Sequence, residues 1–310
     1  MMDRRDFLKS GLAAGAVSFV PQLSPNLQTR HFIWIVNGNG SRKADWYENS
    51  SLCPNLSRIA REGFVYEESF NDTVSRHDNS WIELVTGLPV RDPSALSPTV
   101  LQRIRDAYED RASNYWLLKG GGDIQSAASS TGQLMPDERR RVQDFSEATV
   151  GDRHRVGLML LPEILKAFKP RILIFHQSDH DVAHGNGGYP RAESGYSEYL
   201  QVCKTTDEQI GKIFDFVKSD PYFSRTTTIL VRPEFGRDDE VTRYGELHHS
   251  TGFYQAHHSA EIWWGPDIRI GVDQNLKNRL DVAPTIARMF NVDMPSALGQ
   301  VRTELFNKTV

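Results

Sequence analysis

The sequence predicts an α/β fold, a mostly parallel sheet with helices on both faces. Two observations predict it. Apolar runs of strand length alternate with segments of helical periodicity along most of the chain. The first of those runs, His31-Phe32-Ile33-Trp34-Ile35-Val36, shows no polar alternation, as expected of a strand covered on both sides.

The elements follow in order. Asn37-Gly38-Asn39-Gly40 ends the first strand in a loop. Leu56 to Glu62 reads as a short helix stopped by Gly63, and Phe64-Val65-Tyr66 as a strand. Asn79 to Thr86 reads as a helix ending at Gly87. Tyr115-Trp116-Leu117-Leu118 is a third strand, followed by three glycines, whereas residues 123–155 are polar and yield no element. Arg171 to Phe175 is a strand that opens into a histidine-rich loop. Tyr199, Cys203, Thr206, Ile210, Ile213 and Val217 follow a 4-3-4-3-4 spacing, the apolar stripe of a long helix. Thr226 to Val231 is a β-branched strand, and Glu261-Ile262-Trp263-Trp264 is another. Asp281 to Phe290 reads as a helix with Asp281 as N-cap and Pro284 in its first turn. With no internal repeat and no linker after residue 30, residues 31–310 read as one domain.

Composition narrows the function classes. Hydrophobic residues at 39% and charged residues at 25% are ordinary globular usage, which argues against disorder. A net charge of −4 without a basic run leaves no footprint for nucleic acid. Cys53 and Cys203 allow either one disulfide in an oxidising compartment or two buried thiols.

Residues 1–30 form a separate signal. Arg4-Arg5-Asp6-Phe7-Leu8-Lys9 precedes an apolar run from Gly11 to Val20, too short to span a membrane. The paired arginines match the twin-arginine pattern, so the translocation machinery of that pathway is an expected partner and the periplasm the expected destination. No small-x-small cleavage site follows, and an uncleaved signal would act as an anchor.

In open α/β sheets ligands bind beyond the carboxyl ends of the strands. Asn37 follows the first strand. His176, Asp179, His180 and His184 follow the strand ending at Phe175. Glu234 and Arg237 follow Val231, and His248, His249, His257 and His258 precede the Trp263 strand. Seven of the ten histidines fall between residues 176 and 258. Imidazoles mixed with carboxylates are the ligand set of Zn, Mn or Fe, so the cluster points to a divalent metal. His180 and His184 would share a face if their loop turned helical.

Four stretches then resemble the alkaline phosphatase and sulfatase superfamily, over roughly residues 31–306. Cys53-Pro54-Asn55-Leu56-Ser57-Arg58-Ile59-Ala60-Arg61-Glu62-Gly63 is similar to a sulfatase helix. Leu84-Val85-Thr86-Gly87-Leu88-Pro89 resembles the helix end behind the family's nucleophile. Glu261 to Ile268 and Asp281-Val282-Ala283-Pro284-Thr285-Ile286 resemble a strand and a helix of the same family.

The resemblance implies a bimetal centre at strand ends that hydrolyses phosphate or sulfate esters by in-line attack. It puts Asn37 at the first-strand metal ligand and His77 at the nucleophile, with Ser75 two residues earlier. His180 and His184 fall on a ligand pair, Glu234-Phe235 on an Asp-His pair, and His248 or His249 on the last ligand. Phe235 cannot ligate, so the resemblance implies one strong site, from His184, His249 and Asp179 or His180, beside a weaker one bridged by Glu234. No cysteine stands in the nucleophile segment, which sets aside a formylglycine sulfatase. Ser75 or His77 would attack, or His77 would act as base on a metal-bound water, while Arg76 or Arg237 neutralises a small anionic ester. The alternative is a non-catalytic binding protein with a degenerate metal centre, motivated by Asn37 and the missing Asp-His pair.

Overall fold

The computed structural model describes residues 27–308 except 39, 72, 74, 76, 90–97, 110–113, 120–140, 145–151, 178, 181–182, 184–194, 239–248 and 250–251. Strand β1 (His31–Asn37) is buried along its whole length. Its side chains alternate between two cores, as a pleated strand requires. Phe32, Trp34 and Val36 enter one core, Ile33 and Ile35 the other. Because neither face meets water, the strand needs no polar alternation, and its sequence has none.

Helices α1 (Lys43–Trp46) and α2 (Pro54–Glu62) follow, the second opening on a proline that suits a first turn. Strand β2 (Phe64–Phe70) leads to α3 (His77–Thr86) and α4 (Val100–Tyr108). A capping box starts α4: Thr99 Oγ1 accepts from the Gln102 N–H, and the Gln102 side chain accepts from the Thr99 N–H. Then come β3 (Tyr115–Lys119), β4 (Arg141–Asp144), α5 (Asp152–Phe168), β5 (Ile172–Gln177) and the long α6 (Gly195–Ser219). The chain closes with β6 (Thr227–Pro233), α7 (Tyr254–His257), β7 (His258–Trp264), β8 (Gly271–Asp273), β9 (Lys277–Asn278) and α8 (Val282–Met289).

The strands form one sheet in the order β4-β3-β5-β1-β6-β7-β2-β8, with β9 also beside β2. Every pairing is parallel except those of β7 with β6 and β2. The carboxyl ends of β1, β2, β3, β5 and β6 therefore share one edge with the start of β7. Helices α3, α4 and α8 cover one face, and α2, α5 and α6 cover the other. All six residues of the predicted α6 stripe are buried.

Several expectations change. Residues 123–155, left without elements, contain β4 and the start of α5. Among the described residues β4 pairs at one side only, and it carries too short an apolar pattern to be seen. Helix α4 was not foreseen. Asp281 does not cap α8 with its side chain. Its carboxylate instead accepts the Gln300 N–H at 2.8 Å, tying down the last segment of the chain. Cys53 and Cys203 are both buried free thiols, with Cys53 Sγ 3.9 Å from the Cys203 carbonyl oxygen.

A charge network lies inside the sheet. Glu261 of β7, fully buried, accepts from Arg232 of β6 at 2.7 Å and from Arg302, Ser69 and Trp263. Burial opposes its ionisation, but the charges of Arg302 and Arg232 prevail and hold its carboxyl at about 2, against an ordinary 4.5. Its folded-state value is depressed, so its contribution to stability is complete above pH 4.5 and is lost as pH falls toward 2. Removing one partner leaves buried charge uncompensated. Arg302→Met is therefore expected to cost about 3–5 kcal/mol in urea unfolding and to raise the pH of acid unfolding.

Candidate active site at the carboxyl edge of the sheet

The residue after β6 is Glu234, which is fully buried. Three donors from three directions hold it. His77 Nδ1 reaches Oε2 at 2.8 Å, while Trp81 Nε1 and His176 Nε2 reach Oε1 at 2.6 and 3.0 Å. His77 opens α3, and Trp81 stands one turn later on the same face. His176 lies on β5, two strands from β6, and must pass the end of β1 to reach Glu234. Gly38 makes the passage: a Cβ there would sit 2.4 Å from His176 Nε2.

Burial opposes the charge on Glu234, but hydrogen bonds from His176 and His77 outweigh it, and the carboxyl is held well below its usual range. A carboxylate only accepts, so each bonded imidazole nitrogen carries its proton there. In neutral His77 the proton is on Nδ1 and the lone pair on Nε2. In His176 the arrangement is reversed, and its buried Nδ1 has no hydrogen-bond partner among the described residues.

A third imidazole stands beside the pair. The His249 ring centroid is 5.5 Å from that of His77 and 4.6 Å from that of Phe235. His249 Nδ1 donates to the Ser75 carbonyl at 2.6 Å, which again leaves the lone pair on Nε2. Burial and the nearby Arg237 charge lower its pKa to about 4, so the ring is neutral at ordinary pH.

Other predicted residues take different positions. Ser75 is buried, its hydroxyl donating to the Ala256 carbonyl at 2.9 Å and accepting from Asn71 Nδ2 at 3.3 Å. That hydroxyl is committed to holding α7 against the loop before α3. Arg237 is buried, with Nε directed at the Gly40 carbonyl. Asn37 is buried at the end of β1, and neither of its side-chain polar atoms has a hydrogen-bond partner among the described residues. Asp179 and His180 are fully buried, the His180 ring lying edge-on to Tyr199 of α6. Arg76, His184 and His248 lie outside the described residues.

The structure thus brings His77, Glu234 and His249 together and adds two residues without an assigned role, His176 and Trp81. The i, i+4 spacing of His77 and Trp81 was the available signal, hidden because the helix was expected to start at Asn79.

Helix α3 is also braced from behind. Arg279 Nε donates to Glu83 at 2.5 Å, Nη1 to Ser80 at 2.9 Å, and Nη1 also lies 3.5 Å from the Glu234 carbonyl. One side of α3 therefore meets the Glu234 carboxylate and another meets Arg279.

Both oxygens of Glu234 accept from ring nitrogens. Among the described residues no three of His, Cys, Asp or Glu form a group that could hold a metal ion.

Residues 1–21 match the family model of the twin-arginine translocation pathway signal sequence, so the chain carries an export signal. No curated protein matches the chain in sequence. Solved structures do match in shape. A protein in the alkaline phosphatase superfamily from Vibrio parahaemolyticus superposes with a TM-score of 0.63 at 16% identity, covering 97% of this chain and 78% of its own. A 2-O GAG sulfatase gives 0.68 at 12% identity, covering 91% and 76%. A phosphonate monoester hydrolase from Silicibacter pomeroyi gives 0.56 at 15%, covering 89% and 76%. The chain has the alkaline phosphatase-like fold. Among the described residues no helix is long and apolar enough to cross a membrane.

Trp81→Phe keeps most of the ring volume and deletes one donor to a buried carboxylate. It is expected to cost about 1–3 kcal/mol of stability, measured by chemical denaturation.

Proposed function

We propose that this chain is an exported hydrolase of phosphate or sulfate esters, acting in the periplasm on a small anionic substrate. The carrying observation is the His77–Glu234 pair at the carboxyl edge of the sheet, with the neutral His249 beside it. A buried carboxylate that orients an imidazole and stabilises its cation is a recurrent device of hydrolytic sites. The similarity in fold to a sulfatase and a phosphonate monoester hydrolase supports the ester class.

Each residue has work consistent with its placement. Glu234 fixes the tautomer of His77 and holds its ring against rotation. His77 takes part in bond breaking through Nε2, while His249 presents a second basic nitrogen 5.5 Å away between ring centres. Arg237 and Arg76 supply positive charge for the anionic group. His176 and Trp81 are positioning residues: they hold Glu234 rather than the substrate.

A panel of aryl phosphate mono- and diesters and aryl sulfates tests the reading. Turnover of at least one ester is expected, with kcat/KM falling about 100–10,000-fold in His77→Ala and comparably in Glu234→Gln. Ser75→Ala, which loses only a hydroxyl already donated to Ala256, is expected to keep its turnover. Absence of turnover on every ester, with the protein folded, would sink the proposal. Activity that disappears on chelation and returns with Zn, Mn or Fe would move the chemistry to a centre that includes His184 or His248.

A further inference from the structure

We infer that the amino edge of the sheet is a membrane-docking face: it lies on an anionic lipid bilayer, with the retained export signal as its tether and the candidate site turned away from the lipid.

The tether is short and its far end is clamped. Leu27 is buried, and the fully buried Asp267 accepts the Gln28 N–H at 2.8 Å and the Thr29 N–H and hydroxyl at 2.7 Å each. Asp267 stands just past the end of β7, whose antiparallel course brings it to the edge where β1, β2, β5 and β6 begin. Only residues 21–26 separate this clamp from the apolar run that ends at Val20, and the seven steps from Val20 to Leu27 reach at most about 25 Å. No small-x-small site follows that run. A kept signal therefore holds the amino edge close to the bilayer. The run itself, Gly11 to Val20, is a weak anchor, and weak anchors hold when a basic patch joins them.

The edge supplies that patch. Arg30 stands before β1, Lys169 and Arg171 before β5, Arg225 before β6 and Arg269 before β8. Three of these converge on His31, the first residue of β1. Burial, and then the charges of Arg171, Lys169 and Arg30, lower its pKa against the hydrogen bond to the Pro170 carbonyl. The whole chain carries a net charge of −4, so the concentration of cations is local. Two carboxylates on this side are engaged, Glu62 by Lys218 and Asp220 by the N–H groups of Tyr222 and Phe223.

Apolar side chains stand among the cations. Phe168, Tyr222 and Ile270 are exposed, Ile270 at 71%, and Lys169 Nζ lies 4.6 Å from the centre of the Tyr222 ring. Rings and aliphatic tips beside basic groups suit the headgroup layer, where the apolar part enters the acyl boundary and the charge meets phosphate. A second copy of the chain packed symmetrically here would set like charges against each other. The docking also fixes an orientation. β1 spans seven residues, so the His77–Glu234 pair at the opposite edge stands roughly 20 Å from the lipid and opens toward soluble molecules.

Because Cys53 and Cys203 are buried, a single introduced cysteine carries a fluorescent probe selectively. Ile270→Cys marks the amino edge, and Tyr254→Cys, also exposed, marks the carboxyl edge. Each full-length variant is recovered from membranes and reconstituted in phosphatidylglycerol–phosphatidylcholine vesicles containing a spin-labelled lipid as quencher. An intact N-terminus is expected by mass spectrometry, with quenching about threefold or more stronger at position 270 than at 254. K169E with R225E is expected to lower quenching at 270 by about half or more while the protein stays membrane-attached, and so is replacing all phosphatidylglycerol by phosphatidylcholine.

Removal of the signal on export overturns the inference. Equal quenching at the two positions does so as well, and stronger quenching at 254 would put the candidate site against the lipid. Quenching at 270 that ignores both the charge reversals and the lipid charge also overturns it. Shielding at 270 that grows with protein concentration and not with lipid assigns this edge to a second copy instead.

Discussion

A single carboxylate organises the carboxyl edge of this sheet, where the candidate site lies. Glu234 follows the central strand β6 and is itself shielded from water. An unpaired charge there would cost several kcal/mol. His77, Trp81 and His176 remove that cost by donating to it from α3 and β5. Their geometry explains several sequence choices. Gly38 is small because His176 must pass, α3 begins at a histidine because its first residue faces the strand end, and Trp81 comes four residues later because helical periodicity returns there.

The brace behind α3 has the same logic. Arg279 is buried and donates to Glu83 and Ser80, so two charges neutralise each other on the far side of the helix. Between Glu234 and Arg279 the helix has little freedom to slide or roll, and His77 inherits that rigidity. Glu261 plays a similar part between β6, β7 and Arg302. Buried ion pairs of this type add little net stability over apolar packing. They do penalise alternative registers heavily, since any slip leaves charge unpaired.

Much of the fold was legible in the sequence because strands buried on both faces must be continuously apolar. His31–Val36 and Arg171–Phe175 announce themselves, and the stripe from Tyr199 to Val217 gives α6 its inward face. Edge elements were not legible: among the described residues β4 has one neighbour, and it holds only one apolar residue, so no periodicity marks it. Part of the candidate site was legible by position, since His176 lies at the end of β5 and Glu234 follows β6. Partnership was not. That Glu234 accepts from a tryptophan follows from how α3 lies across the sheet, and no local pattern encodes that angle.

The two thiols add a consequence for the protein's life after export. The twin-arginine route carries chains that have already folded. Cys53 and Cys203 are then closed inside the core before they leave a reducing compartment, and burial raises the pKa of both thiols, which suppresses the thiolate that disulfide exchange requires. Folding before transport thus acts as chemical protection. The chain crosses into oxidising surroundings with two cysteines and neither is available to be captured by another protein's sulfur.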